Sequence, residues 1–382
     1  MNHRINLAAA FEKFSKRPNT RLFRRVRRSM IPTSYRRSRK IILASFEVTR
    51  RATGQSLLRV LLVTAFSWLS AMNLCAAEKL ESIRLAYPAI APGSTPSWVT
   101  ADKKIWHKYG LDVDPILVSG GARAVPALLG SSVQFLVGSD TGVTTAQLQG
   151  IPVVRLGVTM NTLGSSLITQ PSIKSVSDLK GKILGISRGR DASYIRLAKL
   201  LRDHGIDPNS DVKFLSIGGG EGGRLSAVKA GVIHGTMLFP PLDLVARKEG
   251  LRVLEKFDVP TPGGGVNTTA ALLKQNRRLV INFLKGYMDG IHFMLTHKAE
   301  SLEVLQRYFK NTDRTAMGYL YDETTHRLEK ELRASPESIR FHLDMAALDD
   351  PRAKQFGEKE FWDSSVVEEI LRSGFIDQLY KK

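Results

Sequence analysis

Glycines and small hydroxylated residues gather at five places where an extended run gives way to a helical pattern. They are Gly93-Ser94-Thr95-Pro96-Ser97-Trp98, Ser119-Gly120-Gly121-Ala122, Gly138-Ser139-Asp140-Thr141, Ser187-Arg188-Gly189-Arg190-Asp191-Ala192-Ser193 and Gly218-Gly219-Gly220-Glu221-Gly222-Gly223. Glycine lets the backbone approach a bound molecule closely. The free N–H groups at the start of a helix attract anions. Such turns suit hydrogen-bonded capture of a small solute rather than bond making. Any one of them also serves as an ordinary tight connection, with Ser, Thr or Asp as a cap. Several in succession point to a shared cleft.

Other chemistries lack their residues. Gly218–Gly223 holds a Gly-x-Gly, but no companion acid follows at dinucleotide-binding spacing, and no phosphate loop of the Gly-x-x-x-x-Gly-Lys-Ser/Thr type occurs. No His-Glu-x-x-His and no Gly-x-Ser-x-Gly is present. His292 and His297 are five apart, off the spacing of a helical zinc pair. No metal, cofactor or catalytic residue is expected.

The turns need elements to hold them. Ile83–Tyr87, Asp112–Val118, Val133–Val137 and Val153–Thr159 read as strands, with Pro115 placing the second at an edge. Between them, Thr95-Pro96-Ser97 opens a helix carrying Trp98, Ala101, Ile105 and Trp106 on one face. Ala122, Val125, Leu128 and Leu129 mark a second helix, and 141–149 a third. The alternation then repeats. Leu167–Thr169, Ile183–Ile186, Val212–Ile217 and Thr236–Phe239 are extended, Tyr194, Leu197, Ala198 and Leu201 keep helical spacing, and a helix spans about 223–230. Strands alternating with helices predict an α/β fold with sheets covered on both faces. Beyond 268–273 the chain turns helical, over Val280–Leu295 and about 299–310, 313–330, 336–347 and 364–373.

Residues 1–77 have a different character. They carry 16 Lys and Arg against 2 Asp and Glu, then an apolar run, Val60–Met72, and a small-residue exit at Cys75-Ala76-Ala77. That order predicts a basic leader and a signal peptide cleaved near Ala77, with a short membrane anchor as the alternative. Initiation at Met30 or later would shorten the long basic flank. The remainder carries 40 basic and 34 acidic residues, so +14 of the +20 net charge belongs to the leader. The basic balance therefore gives no support to nucleic-acid binding. Cys75, the single cysteine, lies at the exit, so the chain from 78 has no disulfide, cysteine metal site or cysteine nucleophile. The bulky Met72-Asn73-Leu74 before it argues against a lipid anchor there.

Several segments come in a familiar order: Trp106-His-Lys-Tyr-Gly-Leu-Asp-Val113, Ser119-Gly-Gly-Ala122, Ala127–Phe135, Val176-Ser-Asp-Leu-Lys-Gly-Lys-Ile-Leu-Gly185, Gly205-Ile-Asp-Pro208 and Ala227–Gly231. Over roughly 82–300 the chain resembles the periplasmic substrate-binding proteins of ABC importers for nitrate, taurine, aliphatic sulfonates and thiamine-pyrimidine precursors. The resemblance implies a bilobed fold of two parallel-rich sheets, with 82–165 and a helical 267–382 in lobe I, 168–262 in lobe II, and hinge crossings near Ser166–Thr169 and Val266–Thr269. By position it places ligand contacts on Pro96, Ser97, Trp98, Gly120, Gly121, Ser139, Asp140, Thr141, Ser187, Gly189, Ser193 and Asn267. Trp98 would either cover a solute or pack in the core, and at most one of Arg123, Arg188, Arg190 and Arg224 would touch ligand. The implied function is a periplasmic, monomeric, non-enzymatic receptor. It would deliver a small organic anion to an inner-membrane permease and its ATPase subunit. The alternative is an exported enzyme or binding protein acting on a thiamine-pyrimidine precursor, although relatives that make that pyrimidine carry a cysteine-rich run. Two departures stand out: Gln134 and His234 occupy positions where the family usually has an acid, and Phe239-Pro240-Pro241 stands where Trp-Glu-Pro is common.

Overall fold

The computed structural model describes residues 79–187 and 192–381. The expected leader and Gly189 lie outside them. Chain order in the first part is β1 (Glu81–Tyr87), α1 (Thr95–Asp102), β2 (Leu111–Leu117), α2 (Gly121–Leu129), β3 (Phe135–Val137), α3 (Asp140–Leu148) and β4 (Val153–Gly157). The second part runs β5 (Leu163–Thr169), β6 (Ile183–Ile186), α4 (Ala192–Asp203), β7 (Lys213–Ser216), α5 (Gly220–Lys229), β8 (Gly235–Leu238), α6 (Leu242–Lys248) and β9 (Arg252–Val259). β10 (Val266–Thr269) then leads into α7 (Ala270–Gln275), α8 (Arg277–Thr296), α9 (Lys298–Phe309), α10 (Arg314–Thr325), α11 (Pro336–Ala346), α12 (Glu358–Phe361), α13 (Ser365–Arg372) and α14 (Phe375–Tyr380).

These strands form two five-stranded sheets of matching plan, β2-β1-β3-β10-β4 and β7-β6-β8-β5-β9. In each, the first three strands are parallel. The other two pairings in each sheet are antiparallel. The sheets are thus mixed, because β10 and β5 enter straight from the other sheet instead of through a helix. The chain crosses between sheets at 158–162 and again at 260–265. The expected crossings, Ser166–Thr169 and Val266–Thr269, sit inside β5 and β10, each paired with a strand on both sides.

Register in both sheets is supported by side chains that bond a neighbouring strand. Gln134 Oε1 accepts the Arg84 N–H at 2.9 Å, just before β3. His234 Nδ1 accepts the Ile183 N–H at 3.3 Å, just before β8. Gln134 and His234 therefore do equivalent work in the two sheets.

The first sheet's core merges with the C-terminal helices. Phe135 stacks on Phe283 of α8 at 3.7 Å. Trp106 donates its Nε1–H to Phe283 O at 2.9 Å. A Cβ on Gly286 would come within 2.1 Å of the Trp106 ring, so α8 must be bare there. The expected helix through Trp106 stops at Asp102, because Lys104 turns left-handed (φ 54°), and Ile105–Tyr109 forms a separate turn.

Candidate ligand-binding cleft

At the carboxyl ends of the strands, where open α/β sheets bind ligands, two adjoining cavities of about 210 and 500 Å³ open between residues of both sheets. They share Pro88, Ala89, Ser139, Asp140, Leu163 and Arg196.

The first sheet's wall comes from the turns after β1, β2 and β3. Gly120, Gly121, Ser139, Asp140 and Thr141 all line the larger cavity. Gly120 (φ 82°) holds a backbone that L side chains rarely adopt. Ser139 Oγ nestles between two helix starts: a Cβ added at Gly121 or Gly142 would lie 2.5 or 2.7 Å from it. That close approach is what those glycines permit. Asp140 stands in the first turn of α3, accepts the Gly265 N–H at 3.0 Å and lies 3.9 Å from the buried Arg155 guanidinium. Burial pushes its carboxyl upward in pKa, opposed by Arg155 and by the backbone donors. This helix start therefore already holds a carboxylate of its own.

The second sheet supplies one arginine to the two cavities and holds another that lines neither. Arg196 of α4, 6% exposed, lines both cavities, with its guanidinium 4.2 Å from the Phe239 ring centre. Arg224 of α5 donates to the Ser187 hydroxyl and, at 3.3 Å, to Met237 O. The Ser187 N–H in turn donates to Ser193 Oγ at 2.9 Å. Glu221 accepts the Phe239 N–H at 3.1 Å and lies 3.9 Å from Arg224. Burial moves the Glu221 carboxyl up in pKa, against the Phe239 N–H and both arginines. A quarter of its side chain remains exposed, so water tempers that shift.

Ser187 and Ser193 line neither cavity, and the remaining expected contacts also stand outside the two linings. Pro96, Ser97 and Trp98 are buried, and Ser97 Oγ donates to Ser94 O at 2.6 Å. Trp98, with no exposed surface, stacks on Tyr308 at 4.5 Å and 6°. Of the two uses expected of Trp98, packing in the core is the one the structure has. Asn267 is fully buried and donates from Nδ2 to Leu136 O, Gly138 O and Gly265 O at 3.0, 3.2 and 2.6 Å. It fixes the turn that carries Ser139.

Sequence reasoning missed Arg196, Phe239 and the C-terminal contributors: Glu323, Thr324 and Arg327 on the smaller cavity, Phe341, His342 and Met345 on the larger. One signal was available for Arg196. A cation in the first turns of a helix opposes the helix dipole, which is tolerable where an anion is to be met. His342 hydrogen-bonds Thr144 Oγ1 at 2.9 Å. Burial, with the charge of Arg155, holds its pKa down to about 3. Among the described residues no group of three or more His, Cys, Asp or Glu could hold a metal, and no helix is long and apolar enough to cross a membrane.

Comparison with known proteins agrees with this fold. YtlA of Bacillus subtilis, whose name calls it a binding protein, is 24% identical over 278 residues, covering 69% of this chain and 80% of its own. The periplasmic aliphatic sulphonate binding protein SsuA of Escherichia coli superposes with a TM-score of 0.58 at 17% identity, over 75% of this chain and 91% of its own. The periplasmic nitrate-binding protein NrtA of Synechocystis does so with 0.55 at 10%, over 76% and 89%. The fold is that of periplasmic binding proteins. Residues 91–301 match the NMT1/THI5-like family, and the chain belongs to that family.

Proposed function

We propose that this chain is an exported solute-binding protein of an ABC importer. It captures one small organic anion, of the sulfonate, taurine or nitrate kind, between its two sheets and passes it to a membrane permease. The observation that carries this reading is that Arg196 faces the same cavities as the glycine turns at Gly120-Gly121 and Ser139-Asp140. Arg196 supplies a planar fork of donors, and charge-assisted bonds in a closed, water-poor cleft are stronger than at a surface. A ligand held by both walls favours the closed arrangement, since only differential affinity shifts an equilibrium. The two crossings at 158–162 and 260–265 then act as the hinge, and the basic leader through Ala77 directs export.

Asp140 and Phe239 on the cleft favour a second reading, a thiamine-pyrimidine precursor, whose flat, protonatable ring suits an acid and an aromatic face. A melting-temperature screen with alkanesulfonates, taurine, nitrate and a hydroxymethylpyrimidine decides between them. Stabilisation by the anions that Arg196→Ala abolishes supports the anion reading. Stabilisation by the pyrimidine alone, lost in Asp140→Asn, supports the other. No response to any compound contradicts both.

A further inference from the structure

Helix α10 is built with two faces. Ala316, Met317, Leu320 and Tyr321 are buried in the core shared with the first sheet. The opposite edge reaches the second sheet at three points. Just beyond the C-terminal end of α10, beside the crossings, Arg327 donates from Nε to Asp258 on β9 at 2.9 Å. In the middle, the Tyr319 hydroxyl donates to Asp243 Oδ2 at 2.6 Å and accepts from Lys256 Nζ at 2.6 Å. At the far end, Asp313, the cap of α10, meets Lys248 of α6 at 2.9 Å.

The middle contact matters most, because Asp243 is 1% exposed. Its Oδ2 accepts from Ser166 of its own sheet at 2.8 Å and from Tyr319. Losing the Tyr319 donor would leave that oxygen with Ser166 and, at 3.9 Å, Lys256, and the loss of a bond to a buried charged group is costly. Rotation about the crossings at 158–162 and 260–265 would separate Tyr319 from Asp243 and stretch Asp313 from Lys248, while displacing Arg327 least. Arg327 and Glu323 also border the smaller cavity, so this polar edge touches the ligand space.

We propose that α10 is a non-covalent strap between the two sheets, with the Tyr319–Asp243 hydrogen bond as its fastening, and that it sets the angle the halves adopt before any solute binds. The inference holds whatever the solute is. Burial and the Asp243 carboxylate keep the phenol protonated well beyond its ordinary range, so the donor persists at all ordinary pH.

The test needs no ligand. In a full chain with Cys75→Ser, spin labels at Leu129→Cys on α2 and Ser226→Cys on α5 report the separation of the halves by pulsed electron resonance. Tyr319→Phe should move the mean distance by about 2 Å or more and broaden its distribution. Lys248→Ala, at an exposed site, should move it the same way by less. Unchanged distributions in both variants overturn the strap. So does a shift that appears only with Lys248→Ala, since the fastening would then lie elsewhere. Because the measurement is made without solute, its failure leaves the binding reading untouched, and the failure of that reading leaves the strap intact.

Discussion

The guanidinium of Arg155 lies 3.9 Å from the carboxylate of Asp140, with no exposed side-chain surface on the arginine. Arg155 also donates to Asp140 O at 3.0 Å and stacks 4.0 Å from the Phe361 ring centre. One buried cation thus fixes the start of α3, the crossing residue Gly265 through Asp140, and the C-terminal segment. Removing one member of a buried pair leaves the other uncompensated. Arg155→Met should therefore lower unfolding stability by about 3 kcal/mol or more, read by urea denaturation. A loss below about 1 kcal/mol would show that the pair is not structural.

Gly121 and Ser139 should prove coupled. Gly121→Ala places a Cβ 2.5 Å from Ser139 Oγ, an overpacking worth about 1–3 kcal/mol. Ser139→Ala removes that oxygen, so the double variant should regain most of the loss in a double-mutant cycle. Additive losses would mean that the clash lies elsewhere.

Trp98 is a core residue. Trp98→Ala should cost about 3–5 kcal/mol by denaturation, while the solute affinity of the folded variant stays within a factor of about three. A large affinity loss with unchanged stability would return Trp98 to the cleft.

His342 should make the fold acid-sensitive. Its folded pKa falls from 6.5 to about 3, through burial first and then Arg155. The unfolded chain binds the proton first, so the stability tied to neutral His342 is complete above pH 6.5 and is lost as pH falls toward 3. His342→Gln removes this dependence. The stability gap between parent and variant should narrow between neutrality and about pH 4. A gap constant with pH would contradict the assignment.

What could be read from the sequence follows from how cleanly each element is buried. β6 and α4 are legible because Leu184–Ile186 form a continuous buried run and Tyr194, Leu197, Ala198 and Leu201 a buried stripe of helical period. β9 escaped notice because Arg252, Glu255, Lys256 and Asp258 interrupt an edge strand that is only partly covered. The turns at Gly120-Gly121 and Ser139–Thr141 were legible as cleft residues because glycine and hydroxyl types mark tight connections. Trp98 was ambiguous, since nothing local shows that Tyr308, some two hundred positions later, supplies its stacking partner. Arg196, Phe239, Arg327 and His342 join the cleft only through tertiary placement: the turn ending at Ser193 and the Pro240-Pro241 pair mark connections without showing which cavity the adjacent side chains face.

The account rests on one solute held by both sheets at Arg196, and isothermal titration of the purified protein tests this most directly. With the anion that stabilises best in the thermal screen, it predicts a single site per chain and at least a tenfold weaker affinity in Arg196→Lys, which keeps the charge but loses the fork. Equal affinity in parent and variant, or saturation at a stoichiometry other than one, would contradict it.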